Sequence, residues 1–200
     1  MIKKKFIICL TGMPGAGKST VANALEQDGF ITLNMGDCIR IEAYKQNLKP
    51  SDENLGYLML KLRKELGPGA IAVLIVHKIK SEYEDDTYSK FVIDGIRSIN
   101  EIEELKKIGF VKILSIHGSL ITRFKHLKDR GRSDAPSTIE DCLIRDKREL
   151  SVGVSEAIAF ADEIISNNEI TLHQLLNQAR KIAKQWSVLY QNYTVRTENG

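Results

Sequence analysis

Cysteine is scarce and scattered. The three present, Cys9, Cys38 and Cys142, share no CxxC or Cys/His ligand spacing, which argues against a disulfide framework or a zinc site and fits reduced thiols in a cytoplasmic protein. The four histidines are too dispersed for a metal site or a catalytic dyad. Aromatics make up 6% of the chain, and the one tryptophan, Trp186, falls on the apolar stripe of a helix. The basic-plus-aromatic platform of a single-strand nucleic-acid binder is therefore missing, and nucleic acid is not an expected partner. Charge of one sign is lacking too: 29 Lys and Arg against 26 Asp and Glu leave a net +3, so any basic site must be local. No run reaches the roughly 18 apolar residues of a membrane span. Lys3 to Lys5 followed by Phe6 to Leu10 is too short for a signal peptide and leads directly into a glycine-rich loop. The expected location is the cytoplasm, with no membrane partner.

What is present is the alternation of an α/β domain. Short runs rich in Ile, Val and Phe, at 6–11, 30–34, 91–94, 111–116 and 163–166, predict five strands. Between them, 18–27, 36–46, 52–66, 70–82, 100–107, 120–130, 137–150 and 154–160 carry helical periodicity. A last helix follows Thr171 as N-cap, with Leu172, Leu175, Leu176, Ala179, Ile182, Ala183 and Trp186 as its core stripe. This pattern predicts a three-layer fold, a five-stranded parallel sheet with helices on both faces. One domain is expected over 1–191, with a frayed polar tail at 192–200.

The first strand leads into Gly12-Met13-Pro14-Gly15-Ala16-Gly17-Lys18-Ser19, a complete G-x-x-x-x-G-K-[ST] between strand and helix. Its glycines let backbone N–H groups turn inward around phosphate oxygens, and the following helix, with Thr20 in its first turn, adds its positive end. ATP and Mg2+ are the expected cofactors, with Lys18 on the β- and γ-phosphates and the Ser19 hydroxyl as a metal ligand. This loop alone names no reaction. The guanine-reading N-K-x-D is absent, which weakens a signalling-GTPase reading.

Two more segments place charged residues at the carboxyl ends of strands, where ligands bind in open α/β sheets. Gly36-Asp37-x-x-Arg40 matches the G-D-x-x-R of nucleoside monophosphate kinases, adenylate kinase above all, and Asp94-Gly95-x-Arg97 is similar to their D-G-F-P-R with one residue missing. The resemblance implies a P-loop kinase fold, with Arg40 and Arg97 gripping the acceptor phosphate. It makes Asp94 the carboxylate beside Mg2+ and has Asp37 order the metal's waters. It also implies a helical acceptor-binding insertion at about 36–82 and a short lid at about 120–148.

The run from Arg123 to Arg132 holds five Lys or Arg residues and one acid. It resembles the arginine-bearing lid that closes over the donor phosphates in these kinases. On that resemblance Arg123 contacts the donor, Arg130 and Arg132 stabilise the transferring phosphoryl group, and Arg145 binds the acceptor from the lid's far arm, with Arg148 a weaker candidate. The segment Ala161-Asp162-x-x-Ile165-x-Asn167 is similar to one in dephospho-coenzyme A kinase. Taken together, G-M-P-G-x-G-K-S, M-G-D-x-x-R, D-E-N-L-G, D-G-I-R-S, R-G-R-S-D and A-D-x-x-I-x-N run in the order of a group of archaeal adenylate-kinase-related P-loop proteins, between Ile8 and Asn167.

The chain departs from adenylate kinase where a base-reading glutamine is expected, which counting from Arg97 places at Glu101. A carboxylate accepts hydrogen bonds only, so Glu101 would suit guanine better than adenine. The expected activity is transfer of the γ-phosphoryl group to a small nucleotide-like acceptor, first a nucleoside monophosphate. The alternative is dephospho-coenzyme A, whose ribose hydroxyl benefits from a base such as Asp37. A reading of another class is a P-loop ATPase switch in ribonucleoprotein assembly. Oligomeric state is not legible in the sequence.

Overall fold

The computed structural model describes residues 5–85, 89–131 and 135–198. Five strands, β1 (Lys5–Thr11), β2 (Ile31–Asn34), β3 (Lys90–Ile96), β4 (Gly109–His117) and β5 (Glu163–Ser166), form one all-parallel sheet in the order β2-β3-β1-β4-β5. β1 is buried along its whole length, as a parallel strand covered on both faces must be. Its alternate residues divide between two cores: Ile7 and Cys9 face one, Phe6, Ile8 and Leu10 the other. The chain winds to one side of β1 through β2 and β3 and to the other through β4 and β5. The loop after β1 therefore opens at the point where the winding reverses, at the carboxyl ends of the strands.

One layer contains α1 (Lys18–Gln27) and the closing α9 (Leu172–Glu198). The other contains α2 (Met35–Lys45), α3 (Asp52–Leu66), α4 (Ala70–Glu82) and α5 (Ile99–Lys106). Local signals set these boundaries: Asn34, Ser51 and Ser98 each accept from the backbone N–H three residues on. α3 and α4 are more than an appended arm, because Leu58, Ile71, Ile75 and Ile79 are fully buried in the same core as β1 and β3. The remaining helices, α6 (Leu120–Asp129), α7 (Ile139–Ser151) and α8 (Val154–Ala159), follow β4, and α7 starts on a capping box between Thr138 and Asp141. No helix among the described residues is long and apolar enough to cross a membrane.

One expectation fails at the carboxyl end. Helix α9 continues through Glu198 across the stretch read as a frayed tail. Tyr190 stacks on Phe6 with ring centroids 5.3 Å apart, and Tyr193 lies 5.2 Å from the Phe110 ring. These aromatic contacts hold the helix past the end of its aliphatic stripe.

Candidate active site

The phosphate loop is shaped by close backbone approaches. At Gly12, with φ +133°, a Cβ would lie 2.2 Å from the Ile116 carbonyl oxygen, and at Gly15, with φ +80°, 2.5 Å from that of Arg123. Neither position accepts a side chain. The loop's carbonyls are tied outward: Ala16 O accepts from Asn167 Nδ2 at 2.9 Å and Pro14 O from Arg123 Nη1 at 3.1 Å. Within the loop, Ala16 N donates to Met13 O at 3.2 Å. Lys18 curls back to donate to the carbonyls of Gly12 at 2.7 Å and Met13 at 3.1 Å. The protein packed around its Nζ pushes its pKa down to about 8.

Ser19 and Asp94 meet beside the phosphate loop. Ser19 Oγ donates to Asp94 Oδ2 at 2.7 Å, and Asn34 Nδ2 donates to the same oxygen at 2.8 Å. Asp94 is buried, and its Oδ1 has no hydrogen-bond partner among the described residues. An orphaned carboxylate oxygen beside a hydroxyl is an all-oxygen donor set, which fits Mg2+. Asn34 also caps α2, accepting from Asp37 N at 3.2 Å, and so links the Asp94 carboxylate to the helix that carries Arg40.

On the acceptor side, Arg40 and Arg97 line one cavity with Lys18, Asp94, Arg130 and Arg145. Asp37 is not among the residues that line it: exposed, it pairs with Arg40 at i,i+3. Besides Asp94, the carboxylate that lines this cavity is Glu149 of α7, which accepts from Arg97 Nε. Burial works against its charge, but the Arg97 guanidinium outweighs that and holds its pKa below the usual glutamate value.

Glu101 is not placed to read an acceptor. It is fully buried, with Oε1 on Arg63 Nη2 and Oε2 accepting from Arg97 N at 2.7 Å. Its surroundings raise its pKa through burial, in spite of Arg63. Its role is to fix the backbone that presents Arg97. The sequence carried a signal for this, since Ser98-Ile99-Asn100-Glu101 has the S-x-x-E spacing of a helix start, and Ser98 Oγ does accept from Glu101 N.

Arg123 likewise lies beneath the phosphate loop rather than over the donor. It is buried, pairs with both oxygens of Asp146, and donates to the carbonyls of Gly118 and Pro14. Arg130, seven residues on, lines both the acceptor cavity and a larger neighbouring one with Thr20, Asn23, His126, Ile170 and Leu172. His126 Nδ1 sits 2.9 Å from the Gly15 carbonyl and donates to it. Arg132 lies outside the described residues. Asn34, Asp146 and Glu149 carry no motif signal in the sequence, whereas Asn167 closes the A-D-x-x-I-x-N segment.

A family model described as AAA domain matches residues 11–143. A UPF0200 protein of Pyrococcus abyssi is 45% identical over 82% of this chain and 88% of its own. One from Pyrococcus horikoshii is 42% identical over 94% and 99%. Among solved structures, TT1252 from Thermus thermophilus superposes with a TM-score of 0.65 at 18% identity, over 92% of this chain and 98% of its own. A gluconokinase from Sinorhizobium meliloti gives 0.56 at 14% identity, over 96% and 98%. The sheet order, the phosphate loop and these likenesses agree on a P-loop kinase-like fold, and the chain belongs to the UPF0200 family of P-loop proteins.

Proposed function

We propose that the protein is an ATP-dependent phosphotransferase that moves the γ-phosphoryl group to a small nucleotide-like acceptor, a nucleoside monophosphate first. The observation that carries this reading is the meeting of two cavities at one point. The larger, on the α1 and α9 side, and the smaller, on the α2 and α7 side, share Gly15, Lys18, Ser19, Leu127 and Arg130. A hydrolytic switch needs only the first cavity. A second, cationic one beyond the γ-phosphate position suits an anionic co-substrate.

In the reaction an acceptor phosphate oxygen forms a bond to the γ-phosphorus as the bridge to the β-phosphate breaks, leaving ADP. Arg40 and Arg97 offset the repulsion between the two anions and hold them in line. Lys18 and Arg130 face the charge that develops on the transferring group. Ser19 and Asp94 would hold Mg2+, which would supply positive charge to neutralise the donor phosphates.

Dephospho-coenzyme A is the second reading. It is favoured by Glu149, an ionised carboxylate in the transfer cavity where a hydroxyl nucleophile could be oriented. Incubation with ATP and Mg2+ against nucleoside monophosphates and dephospho-coenzyme A, with identification of the phosphorylated product, separates the two. ADP release independent of every acceptor, and stimulated by RNA or a protein partner, would replace both with the ATPase switch.

A further inference from the structure

Helix α3 bears on the acceptor side in two ways. Its residues Leu55, Gly56 and Met59 line a small cavity that continues the transfer cavity and shares Arg40, Arg97 and Arg145 with it. Arg63 stands one turn beyond Met59 on the same helix face, but it is not among the lining residues of either cavity. Its side chain is buried instead, 9% exposed, and Nη2 donates to Oε1 of the fully buried Glu101. Arg63 Nε and Nη1 are also buried, with no hydrogen-bond partner among the described residues. Each buried donor without an acceptor is destabilising, so neither core packing nor a planar fork accounts for an arginine here. The group that Arg63 serves is the Glu101 carboxylate.

Glu101 in turn acts on the end of β3. Its Oε2 accepts from Arg97 N at 2.7 Å, and at the other pole of the same peptide Thr11 Oγ1 donates to the Ile96 carbonyl at 3.0 Å. A planar peptide held at both its carbonyl and its amide cannot turn, which fixes the direction in which Arg97 leaves the strand. Its guanidinium is then held at the cavity by Glu149 through Nε and by the Gly95 carbonyl through Nη1, at 3.0 Å. Burial already pushes the Glu101 pKa up against the attraction of Arg63. Without Arg63 the carboxyl is driven toward its neutral form, a weaker acceptor for the Arg97 amide.

Resting on the phosphotransferase reading of this site, we propose that Arg63 is a positioning residue for the acceptor phosphate. Through Glu101 it locks the peptide between Ile96 and Arg97. The helix that lines the far part of the acceptor site thereby also sets the arginine that grips the near part.

Two measurements on the full chain test this. Amide hydrogen exchange at Arg97, without ligand, reads the lock itself. Calorimetric binding of AMP, GMP, CMP and UMP, with ATP measured separately, reads its consequence. In Arg63→Met the Arg97 amide exchanges about tenfold faster and monophosphate affinity falls about tenfold, the scale of one lost buried hydrogen bond, while ATP affinity is unchanged. Arg63→Lys restores both, because the contact uses a single donor end. Where Arg63→Met folds poorly, Arg63→Met with Glu101→Leu replaces the buried pair by an apolar one and recovers stability. That double variant keeps the amides of Phe91 and Ile93 in β3 protected, but its Arg97 amide still exchanges fast and its monophosphate affinity stays low, because Arg97 N has no acceptor. Unchanged exchange at Arg97, exchange raised equally throughout β3 in the double variant, or faster exchange with unchanged monophosphate affinity would each overturn the proposal. So would recovery of affinity together with stability in the double variant. Faster exchange at Arg97 in a protein whose wild type binds none of the four monophosphates would uphold the lock and remove the nucleoside monophosphate reading instead.

Discussion

Arg123 and Asp146 form a two-pronged ion pair beneath the phosphate loop, with Nη1 to Oδ1 at 2.9 Å and Nη2 to Oδ2 at 2.6 Å. Both side chains are about nine-tenths buried, at 6% and 10% exposure. Removing one member of such a pair strands a buried charge, which costs roughly 3–5 kcal/mol. Asp146→Ala is therefore expected to lose stability on that scale in urea unfolding. The double substitution Arg123→Met with Asp146→Leu should recover much of the loss, since an apolar pair can replace a buried ionic one. It should not recover ATP affinity, because Pro14 O would still lack its donor. Recovery of both would show that Arg123 does no more than fill the core.

Asp94 and Ser19 predict a separation of binding from chemistry. Asp94→Asn keeps the shape and the hydrogen bond from Ser19 but removes the charge that a divalent cation needs. ATP should still bind, while metal-dependent turnover should fall by about two to three orders of magnitude, as expected for loss of a group that stabilises developing charge. Equal turnover in wild type and variant across an Mg2+ titration would exclude Asp94 from the metal site.

The Arg97 and Glu149 pair gives an acid-side pH dependence. Glu149 has its pKa lowered in the folded protein, so the unfolded chain takes up its proton first as pH falls. The stabilisation is complete above the unfolded glutamate value and is lost as pH drops through the lower folded one. Glu149→Gln should be less stable than wild type at neutral pH and should lose less stability on acidification below about pH 4.5. Parallel stability curves for the two proteins would sink this assignment.

Local chemistry made much of the fold readable, and long-range pairing hid much of the site. Helices α1, α3 and α4 begin and end where periodicity and flanking turn residues placed them. The glycine-rich loop between strand and helix was unambiguous for the same reason. Side-chain roles were harder, because each depends on a partner far along the chain. Arg123 looks like a lid arginine until Asp146, 23 residues on, is seen to hold it below the loop. Asp37 and Glu149 exchange places: the carboxylate beside the motif arginine turns to solvent, and one that no motif marked reaches the cavity. Glu101 takes the base-reading position only in a count from Arg97, whose own motif is one residue short, while its helix-start spacing marks a structural role.

The end of α9 offers a test in which stability and function separate. Tyr190 is 6% exposed and stacked on Phe6, and Phe110 packs against both rings. Phe6 and Phe110 stand at the amino ends of β1 and β4, across the sheet's length from the phosphate loop that follows Thr11. Tyr190→Ala should therefore cost about 3–5 kcal/mol, the usual range for truncating a large buried aromatic. Tyr193→Ala should cost less, since that ring is only half-buried and touches Phe110 from the rim. Neither change should alter ATP affinity measured below the transition temperature, because the atoms lost lie at the opposite edge of the strands from Lys18. A fall in affinity without a fall in stability would mean that α9 transmits its packing to the donor cavity through Leu172 and Leu175, which line that cavity at the helix's other end.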